Sequence, residues 1–208
     1  MSVTGASWRR LWTELGAQSI DGGLFNQLVA AYSERHRHYH TLQHLRECLA
    51  HCEAAASLAL HPAEVELALW FHDAVYDPHR DDNEECSAEW AWRSILAAGC
   101  AEAVAQRVQA SVLATKSHAA GGRDADVQLV LDIDLAILGA APARFADYGR
   151  QVRAEYAHVP EADWRAGRTR ILAGFLARPR IYATVAFHDA LEHRARENIA
   201  QAMAALQG

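Results

Sequence analysis

Glycine and proline residues in this sequence fall almost entirely at the ends of predicted helices. Gly16, Gly99 and Gly139 each follow an amphipathic run, and Pro62 stands near the start of another. Glycine is favoured just after a helix C-terminus and proline in a first helical turn, so this placement predicts a series of helices. The chain shows neither strand-like alternation nor an internal repeat. The sequence therefore predicts an all-α fold, arranged as a single-domain helical bundle.

Most predicted helices also carry a local start signal. Residues whose side chains favour helix N-termini precede apolar stripes of 3.6-residue period: Ser7, Asp21, Thr41 and Asn83. We predict helices that start near these residues and near Pro62. Further helices are predicted over 101–117, 127–138, 143–157 and 162–177, and a last one follows Pro179.

Composition restricts the class of protein. With 208 residues, of which 51% are hydrophobic, the chain can bury a core in one domain. A formal net charge of −6 without a basic stripe argues against a nucleic-acid polymer or an anionic membrane as partner, and no apolar run reaches membrane-spanning length. The four cysteines lack paired spacing and the N-terminus lacks a signal-peptide pattern, so we expect a cytoplasmic protein. Homo-oligomer formation is left open.

A histidine–aspartate pair, His72–Asp73, follows directly after the apolar run from Val65 to Phe71. Adjacent residues on a helix point about 100° apart, so both side chains can reach one metal ion only in a crevice between packed helices. Other helices must then supply the remaining ligands.

Candidate partners lie on both sides of this pair. Upstream, His40 and His44 are four residues apart and share one helical face if the helix reaches back that far. Downstream, Asp132 and Asp134 lie about 200° apart on a helix, so only one of them can face the ion. A lone histidine among the 12 in this chain is more often structural than a ligand, but the joint pattern favours a metal site.

The order of His, His-Asp and Asp on three separate helices resembles the HD superfamily of metal-dependent phosphohydrolases. Tyr39-His40-x-x-x-His44 with Phe71-His72-Asp73 is similar to the motifs of cyclic-nucleotide phosphodiesterases, in which the earlier histidine handles phosphate and the later one binds metal. The resemblance to a small group of predicted HD phosphohydrolases spans about 37–198. It is carried by Asn83-Glu84 with Ser87-Ala88, Thr115-Lys116-x-His118, Asp132-x-Asp134-Leu135-x-x-Leu138-Gly139, Arg153-x-Glu155-Tyr156 and Glu192-x-x-x-Arg196-x-Asn198.

The resemblance implies an HD-type bundle whose metal-site core covers about 37–139, flanked by helices over 1–36 and 140–208. It implies a divalent ion (Mn, Fe, Co, Ni, Zn or Mg), and two imidazoles with two carboxylates suit such an ion with open positions for water. Asp134 is favoured over Asp132 because Asp134-Leu135 matches the family pattern. Asp73 is also expected to act in catalysis and could bridge a second ion. The expected ligands are His44, His72, Asp73 and Asp134.

The expected reaction is hydrolysis of a phosphate ester or anhydride in a nucleotide or another small phosphorylated metabolite. An ion-activated water would attack phosphorus, while His40 acts as general acid and contacts the substrate. Lys116 is expected to stabilise phosphoryl charge. Three further residues are candidate substrate contacts: Asn83, Glu84 and His118.

Several of these residues also have a structural interpretation. Asn83 and Glu84 could serve helix capping alone, and Lys116 with His118 could form a solvated turn. The run from Arg35 to His38 is expected to be mostly solvated. A buried core pair is favoured over a thiolate zinc site for Cys48 and Cys52, because no second Cys/His cluster accompanies them. Four residues match family positions without an evident chemical requirement: Arg153, Glu155, Tyr156 and Arg168. For these positions we favour a structural role, an internal ion pair between arginine and glutamate.

Two other functions stay open. A di-iron HD oxygenase takes extra histidines between the His-Asp pair and the last aspartate, where this chain offers only His79 and His118. A non-catalytic nucleotide-binding or regulatory HD module would keep the fold without turnover. The shortage of extra histidines argues against the oxygenase, and the intact ligand set argues against the non-catalytic module.

Overall fold

The computed structural model describes residues 3–118 and 124–207, and within that part of the chain all regular structure is helical, without a β-strand. The predicted all-α fold class is therefore confirmed. The chain divides into two compact units, Met1–Asp134 and Leu135–Gly208. The assignment of the whole chain to one domain, with a core and two flanks, stays a prediction.

The first unit contains α1 (Gly5–Glu14), α2 (Leu24–Ala31), α3 (Leu42–Ala54), α4 (Pro62–Phe71), α5 (Asn83–Ala97), α6 (Glu102–Thr115) and α7 (Ala125–Asp134). A short 3-10 helix, Ala56–Leu58, joins α3 to α4. The second unit contains a 3-10 helix, Leu135–Gly139, followed by α8 (Pro142–Glu155), α9 (Glu161–Leu176) and α10 (Val185–Gln207).

Helix α4 is the central helix of the first unit. Every residue from Glu64 to Phe71 is buried, as expected of a helix that is apolar around most of its circumference. It packs against α1, α3, α5, α6 and α7. On the α1 side, the ring of Trp70 lies 4.9 Å from that of Trp8 and 5.9 Å from that of Phe25. The residues directly after α4, beginning with His72, therefore lie inside the first unit among its packed helices.

Two glutamates interrupt the apolar surface of α4, and each is paired with an arginine from a neighbouring helix. Glu66 accepts a hydrogen bond of 2.7 Å from Arg10, and Glu64 accepts two of 2.6 Å from Arg107. Removing one partner of such a pair leaves an uncompensated charge, which costs about 3–5 kcal/mol when the pair is buried. These pairs fix how α1 and α6 lie against α4.

Helices α4 and α7 run in the same direction and are matched at their starts. The Asp126 carboxylate, near the start of α7, accepts backbone hydrogen bonds from Leu60 (2.7 Å) and His61 (2.9 Å), just before α4. It also contacts the His61 ring nitrogen Nδ1 at 2.9 Å. Both helices span ten residues, so their C-terminal ends come level about 15 Å further on.

The second unit is built around a close approach between its 3-10 helix and α10. A Cβ atom on Gly139 would lie only 2.6 Å from the Cβ of Leu191, so no larger residue fits there without displacing α10. The Asn198 amide donates to the carbonyls of Leu138 (2.8 Å) and Ala140 (2.9 Å). Glu192 and Arg196 form the predicted i,i+4 ion pair at 2.7 Å.

Most predicted helix boundaries agree with the structure, and four differ in detail. Asp21 does not cap α2, whose N-cap position is Gly23. Thr4, not Ser7, caps α1, and Ser7 instead completes a capping box at the third helical position. Asp82, not Asn83, is the N-cap position of α5. The helix predicted over 127–138 is α-helical only to Asp134, after which the chain narrows to a 3-10 helix. None of the described helices is both long and apolar enough to cross a membrane.

Candidate metal centre

The His72–Asp73 pair lies in the turn that ends α4, where backbone carbonyls lack helical partners. His72 is the C-cap residue and donates from Nδ1 to the Leu69 carbonyl at 2.8 Å. The hydroxyl of Tyr32 donates to the Trp70 carbonyl at 3.3 Å, and the Ala74 amide donates to the Phe71 carbonyl at 2.9 Å. Because Nδ1 donates to the Leu69 carbonyl, Nε2 of His72 is the ring nitrogen that faces the interior, where it can bind a proton or a metal ion.

Four side chains from three helices converge on this point. His44 Nε2 on α3 lies 3.0 Å from His72 Nε2, and the carboxylate oxygens of Asp73 and Asp134 lie 3.4 Å and 3.2 Å from it. His72 Nε2 lies 2.9 Å from the Asp73 oxygen and 3.6 Å from the Asp134 oxygen. The predicted set is therefore brought together, with Asp134 at the last position of α7.

These contacts place more hydrogen-bond acceptors together than there are protons to satisfy them. When both rings are neutral, His72 Nε2 and both carboxylates are acceptors, and the His44 ring supplies at most one proton from Nε2. Lone pairs that converge in this way suit a common cation.

The spacing of the donors also fits a transition-metal ion. Zinc binds histidine nitrogen and carboxylate oxygen at about 2.0–2.2 Å, which puts neighbouring ligands about 2.9 Å apart at right angles and about 3.3 Å apart in a tetrahedron. The measured separations around His44 and His72 run from 2.9 to 3.6 Å. The two rings are 2% and 1% exposed, so any ion held there would be largely shielded from solvent.

Cys48 adds a sulfur atom to this group. It lies one helical turn after His44 and is 2% exposed. One donor atom each from His44, Cys48, His72 and Asp134 lie within 4.8 Å of one another, so this buried His-Cys-His-Asp group could hold a metal ion. The four cysteines are free thiols. We predicted Cys48 to be a buried core residue. It is buried, but it also contacts the candidate metal centre, which the sequence did not indicate.

The position of the sulfur relative to the His44 ring favours Asp73 over Cys48 as the fourth ligand. Cys48 Sγ lies 3.7 Å from both ring nitrogens of His44. An in-plane sulfur at equal distances would collide with the carbon between the nitrogens, so the sulfur lies over the ring face. The lone pair of Nε2 lies in the plane of its ring, so a sulfur over the ring face is poorly placed to share an ion with it.

The charges of the group stabilise one another. Burial alone would lower the pKa of His72, but the Asp73 carboxylate outweighs it and raises this pKa well above 6.5. Burial would likewise lower the pKa of His44, but Cys48 and the carboxylates of Asp134 and Asp73 raise this pKa well above 6.5. In return, the charge of His72 holds the pKa values of Asp73 and Asp134 well below 3.8 against the effect of burial. The pocket therefore favours positive charge between its two carboxylates.

His118 contacts the outer oxygen of Asp134. Its Nε2 lies 2.8 Å from Asp134 Oδ2, while Oδ1 of the same carboxylate points to the two imidazoles. The backbone of His118 is left-handed, with φ at 48°, which is uncommon for residues other than glycine. Such strain persists where surrounding contacts hold it. Asp132 is 1% exposed and lies outside the described metal-type group.

His40 lies beside the group but not on α3. The helix begins at Leu42 with Thr41 as its cap, so His40 and His44 do not share a helical face. Their rings nevertheless lie 6.0 Å apart between centroids. The His40 ring stacks on Tyr76 at 4.1 Å, with an angle of 28° between the planes. The general-acid role of His40 stays a prediction.

Two of the other candidate substrate contacts, Asn83 and Lys116, bond residues of the loop between α4 and α5. The Asn83 amide donates to the Asp77 carbonyl at 2.9 Å and accepts from the Asp77 amide at 3.1 Å. The Lys116 ammonium bonds the Glu85 carboxylate at 2.6 Å and the Asp81 carbonyl. Glu84 lies in the first turn of α5. Their substrate-binding roles, and the catalytic role of Lys116, stay predictions.

Sequence reasoning missed Arg37, which lies in the run that we expected to be mostly solvated. Arg35, His36 and His38 are exposed, but Arg37 is only 4% exposed. Its guanidinium bonds the carbonyl of Asp73 at 2.6 Å. Nothing in the local sequence pattern distinguishes Arg37 from its polar neighbours, because the Asp73 carbonyl that it bonds lies 36 residues further along the chain.

The remaining family-like positions lie in the second unit. Arg153 pairs with Glu161 at 3.2 Å, and the Arg168 guanidinium lies over the Tyr148 ring at 4.9 Å.

Comparison with known proteins gave no match: no protein-family model, no curated protein and no solved structure matches this chain.

Proposed function

We propose that this chain is a metal-dependent phosphohydrolase that acts on a nucleotide or another small phosphorylated metabolite. The observation that carries the proposal is the convergence of two imidazole nitrogens and two carboxylate oxygens at 2.9–3.6 Å, a buried group whose lone pairs favour a shared cation. The resemblance of these motifs to the HD superfamily supplies the reaction class. The cytoplasm stays the expected location.

His44, His72, Asp73 and Asp134 would hold a divalent cation. Such an ion supplies Lewis acidity, which polarises a phosphoryl oxygen and lowers the pKa of a bound water. The two carboxylates balance its charge, so the loaded group is close to neutral. Cys48 faces the His44 ring and restricts how that imidazole can rotate.

His40 is the residue of this chain best placed to move a proton. Its ring lies at the edge of the group, half-buried, and Tyr76 fixes its plane. A ring nitrogen of His40 would protonate the departing oxygen of the substrate. Lys116 and His118 flank the same region, and each already bonds a carboxylate, of Glu85 and Asp134 respectively.

The direct test combines metal loading with a hydrolysis screen. Metal-free protein would be reloaded separately with Mn²⁺, Fe²⁺, Co²⁺, Ni²⁺, Zn²⁺ and Mg²⁺, and bound metal counted by elemental analysis. Each form would then be offered nucleoside mono-, di- and triphosphates, cyclic nucleotides and nitrophenyl phosphate esters. We expect hydrolysis with at least one transition metal, absent in His72→Ala and retained in His61→Ala.

The other outcomes would redirect the assignment. Oxygen consumption by the Fe²⁺ form without phosphate release would favour the di-iron oxygenase. Tight nucleotide binding without turnover in every metal form would favour a regulatory module. A wild-type protein that binds none of the six metals would contradict the proposal at its first step.

The cobalt form also separates the two candidates for the fourth ligand. A thiolate bound to Co²⁺ gives a near-ultraviolet charge-transfer band, whereas carboxylate ligands do not. We expect no such band in the wild type, and retained cobalt in Cys48→Ala. A band that disappears in Cys48→Ala would assign the position to Cys48 instead of Asp73.

A further inference from the structure

Arg37 is a buried cation whose side chain is fully enclosed by the first unit. The side chain is 0% exposed. Burying a charged group is costly unless hydrogen bonds and counter-charge replace water. For Arg37 the counter-charge comes from Glu34, which accepts from Nε at 2.9 Å. The remaining guanidinium donors are directed elsewhere.

Both terminal nitrogens of the guanidinium bond backbone carbonyls beside the candidate metal centre. Nη1 donates to the Asp73 carbonyl at 2.6 Å and to the His40 carbonyl at 3.3 Å. Nη2 donates to the Ala74 carbonyl at 3.0 Å. One planar group therefore joins the turn after α4 to the segment before α3, and neither segment is held there by a helix.

Two tyrosine rings hold the guanidinium in place. Its central carbon lies 5.4 Å from the centroid of Tyr32 and 5.5 Å from that of Tyr76. Tyr76 is also the ring on which His40 stacks. Tyr32 in turn donates to the Trp70 carbonyl at the end of α4. The Arg37 contacts thus reach every segment that positions His40 and Asp73.

We propose that Arg37 is a positioning residue that fixes the backbone of Asp73 and the backbone of His40 relative to each other. It touches neither substrate nor ion and acts through the carbonyls that it bonds. A lysine cannot replace it, because a single ammonium cannot span three carbonyls with the planar geometry of a guanidinium. The consequence for turnover rests on the proposed function, but the consequence for the two backbone segments does not.

The first measurement needs neither metal nor substrate. Hydrogen exchange of the amides in 38–41 and 72–77 would be followed in the wild type, Arg37→Ala and Arg37→Lys. Both segments should exchange faster in the variants, and together, because one group holds them. Millimolar guanidinium should slow exchange in Arg37→Ala by filling the vacated space, whereas the same concentration of ammonium should not.

The second measurement uses metal affinity by titration calorimetry. Loss of an outer partner of a metal ligand costs roughly 10- to 100-fold in affinity or activity, and we expect a loss in that range for Arg37→Ala, partly reversed by guanidinium. Arg107→Ala is the matched control, since it breaks an arginine–glutamate pair on the same helix α4 but away from the site. It should lower stability and leave metal affinity within about threefold, well under that outer-partner loss.

The proposal is overturned if the two segments keep wild-type exchange in Arg37→Ala, or if Arg107→Ala alters them equally. It is also overturned if guanidinium restores nothing while the variant is folded. If Arg37→Ala does not fold, Arg37→Lys carries the same exchange comparison. A wild type that binds no metal would contradict the proposed function alone, because the exchange result would still decide the role of Arg37.

Discussion

The two ends of the α4–α7 pair carry the same residue types and differ in what those residues can do. At the start of the two helices, the Asp126 carboxylate meets two backbone amides and the His61 ring. The oxygens of this carboxylate are thus already bonded by proton donors. At the other end, Asp73 and Asp134 meet two imidazoles that already crowd each other at 3.0 Å. The first cluster is complete as it stands, whereas the second needs an added cation, either a proton or a metal ion, to balance its acceptors.

The difference shows what makes a histidine–aspartate cluster a candidate metal centre. Burial alone is insufficient, because Asp126 is only 7% exposed and still serves as a helix anchor. The decisive property is the balance of donors and acceptors at the point where side chains converge. Variants at the two ends of the helix pair test that balance.

The largest expected effect is loss of the metal on truncating a converging imidazole. His44→Ala or His72→Ala should reduce metal affinity by more than the roughly 10- to 100-fold that loss of an outer partner costs, because a direct ligand is gone. Elemental analysis after dialysis measures the effect. His61→Ala removes the histidine at the other end and should retain the metal. Equal retention in all three variants would mean that the ion binds elsewhere.

The next effect concerns turnover rather than metal. His40→Gln should keep the metal and lose about 10²- to 10⁴-fold in turnover if His40 is the proton donor. The loss should shrink for nitrophenyl esters, whose leaving group needs little protonation. His36→Gln is the control, since His36 also contacts Tyr76, through its carbonyl at 2.7 Å, but lies exposed. Equal losses for good and poor leaving groups would assign His40 to phosphate binding.

The sequence predicted the fold well because helix ends are marked locally. Pro62 starts α4 as expected, and Gly99 follows α5 with a positive φ of 77°. The end of α7 was not predictable in this way, since the apolar pattern continues past Asp134. The change to a 3-10 helix accompanies tertiary contacts, such as that of Gly139 with Leu191 on α10.

The site was predictable as far as spacing and resemblance reached. They selected His44, His72, Asp73 and Asp134, which the fold brings together. They did not reveal that Arg37 is buried, because its burial depends on carbonyls from a turn distant in sequence. Cys48 was likewise assigned to the core. Helical spacing places it on the buried face of α3 but does not show that its sulfur contacts the His44 ring.

The third prediction is that metal binding strengthens as pH rises. The pKa values of His44 and His72 are raised well above 6.5, so protons occupy the imidazoles at neutral pH and must leave when metal binds. Release of one to two protons changes affinity by about 10- to 100-fold per pH unit in that range. Titration at pH 6, 7 and 8 in buffers of different ionisation enthalpy counts the protons.

Without metal, the same shifts act oppositely on stability. Raised imidazole pKa values contribute stability that is complete below 6.5 and is lost as pH rises through the folded-state values. Lowered carboxyl pKa values contribute stability that is complete above 3.8 and is lost as pH falls through the folded-state values. Metal should therefore raise the melting temperature more at pH 8 than at pH 6. An equal rise at both would contradict the proton competition.

A smaller effect is expected at His118, which orients Asp134 without converging on the cation. His118→Asn suits the left-handed backbone but is too short to reach Asp134 Oδ2. Metal affinity should fall about 10- to 100-fold, toward the lower end because His44 also contacts Asp134. His193→Asn, whose side chain is 91% exposed, is the control and should have no effect. Complete metal loss in His118→Asn would make His118 a ligand itself.

The smallest effect on metal binding should come from the Asp126 cluster at the start of α4 and α7. Asp126→Asn keeps one oxygen for the Leu60 and His61 amides but loses the charge, so unfolding free energy should fall by roughly 1–3 kcal/mol. Metal affinity should change by only a few-fold, since the cluster reaches the site only through the alignment of α4 and α7. Denaturant unfolding of the metal-free protein and calorimetric titration measure the two quantities. A variant that folds with wild-type stability but loses metal would mean that Asp126 serves the site rather than the helix ends.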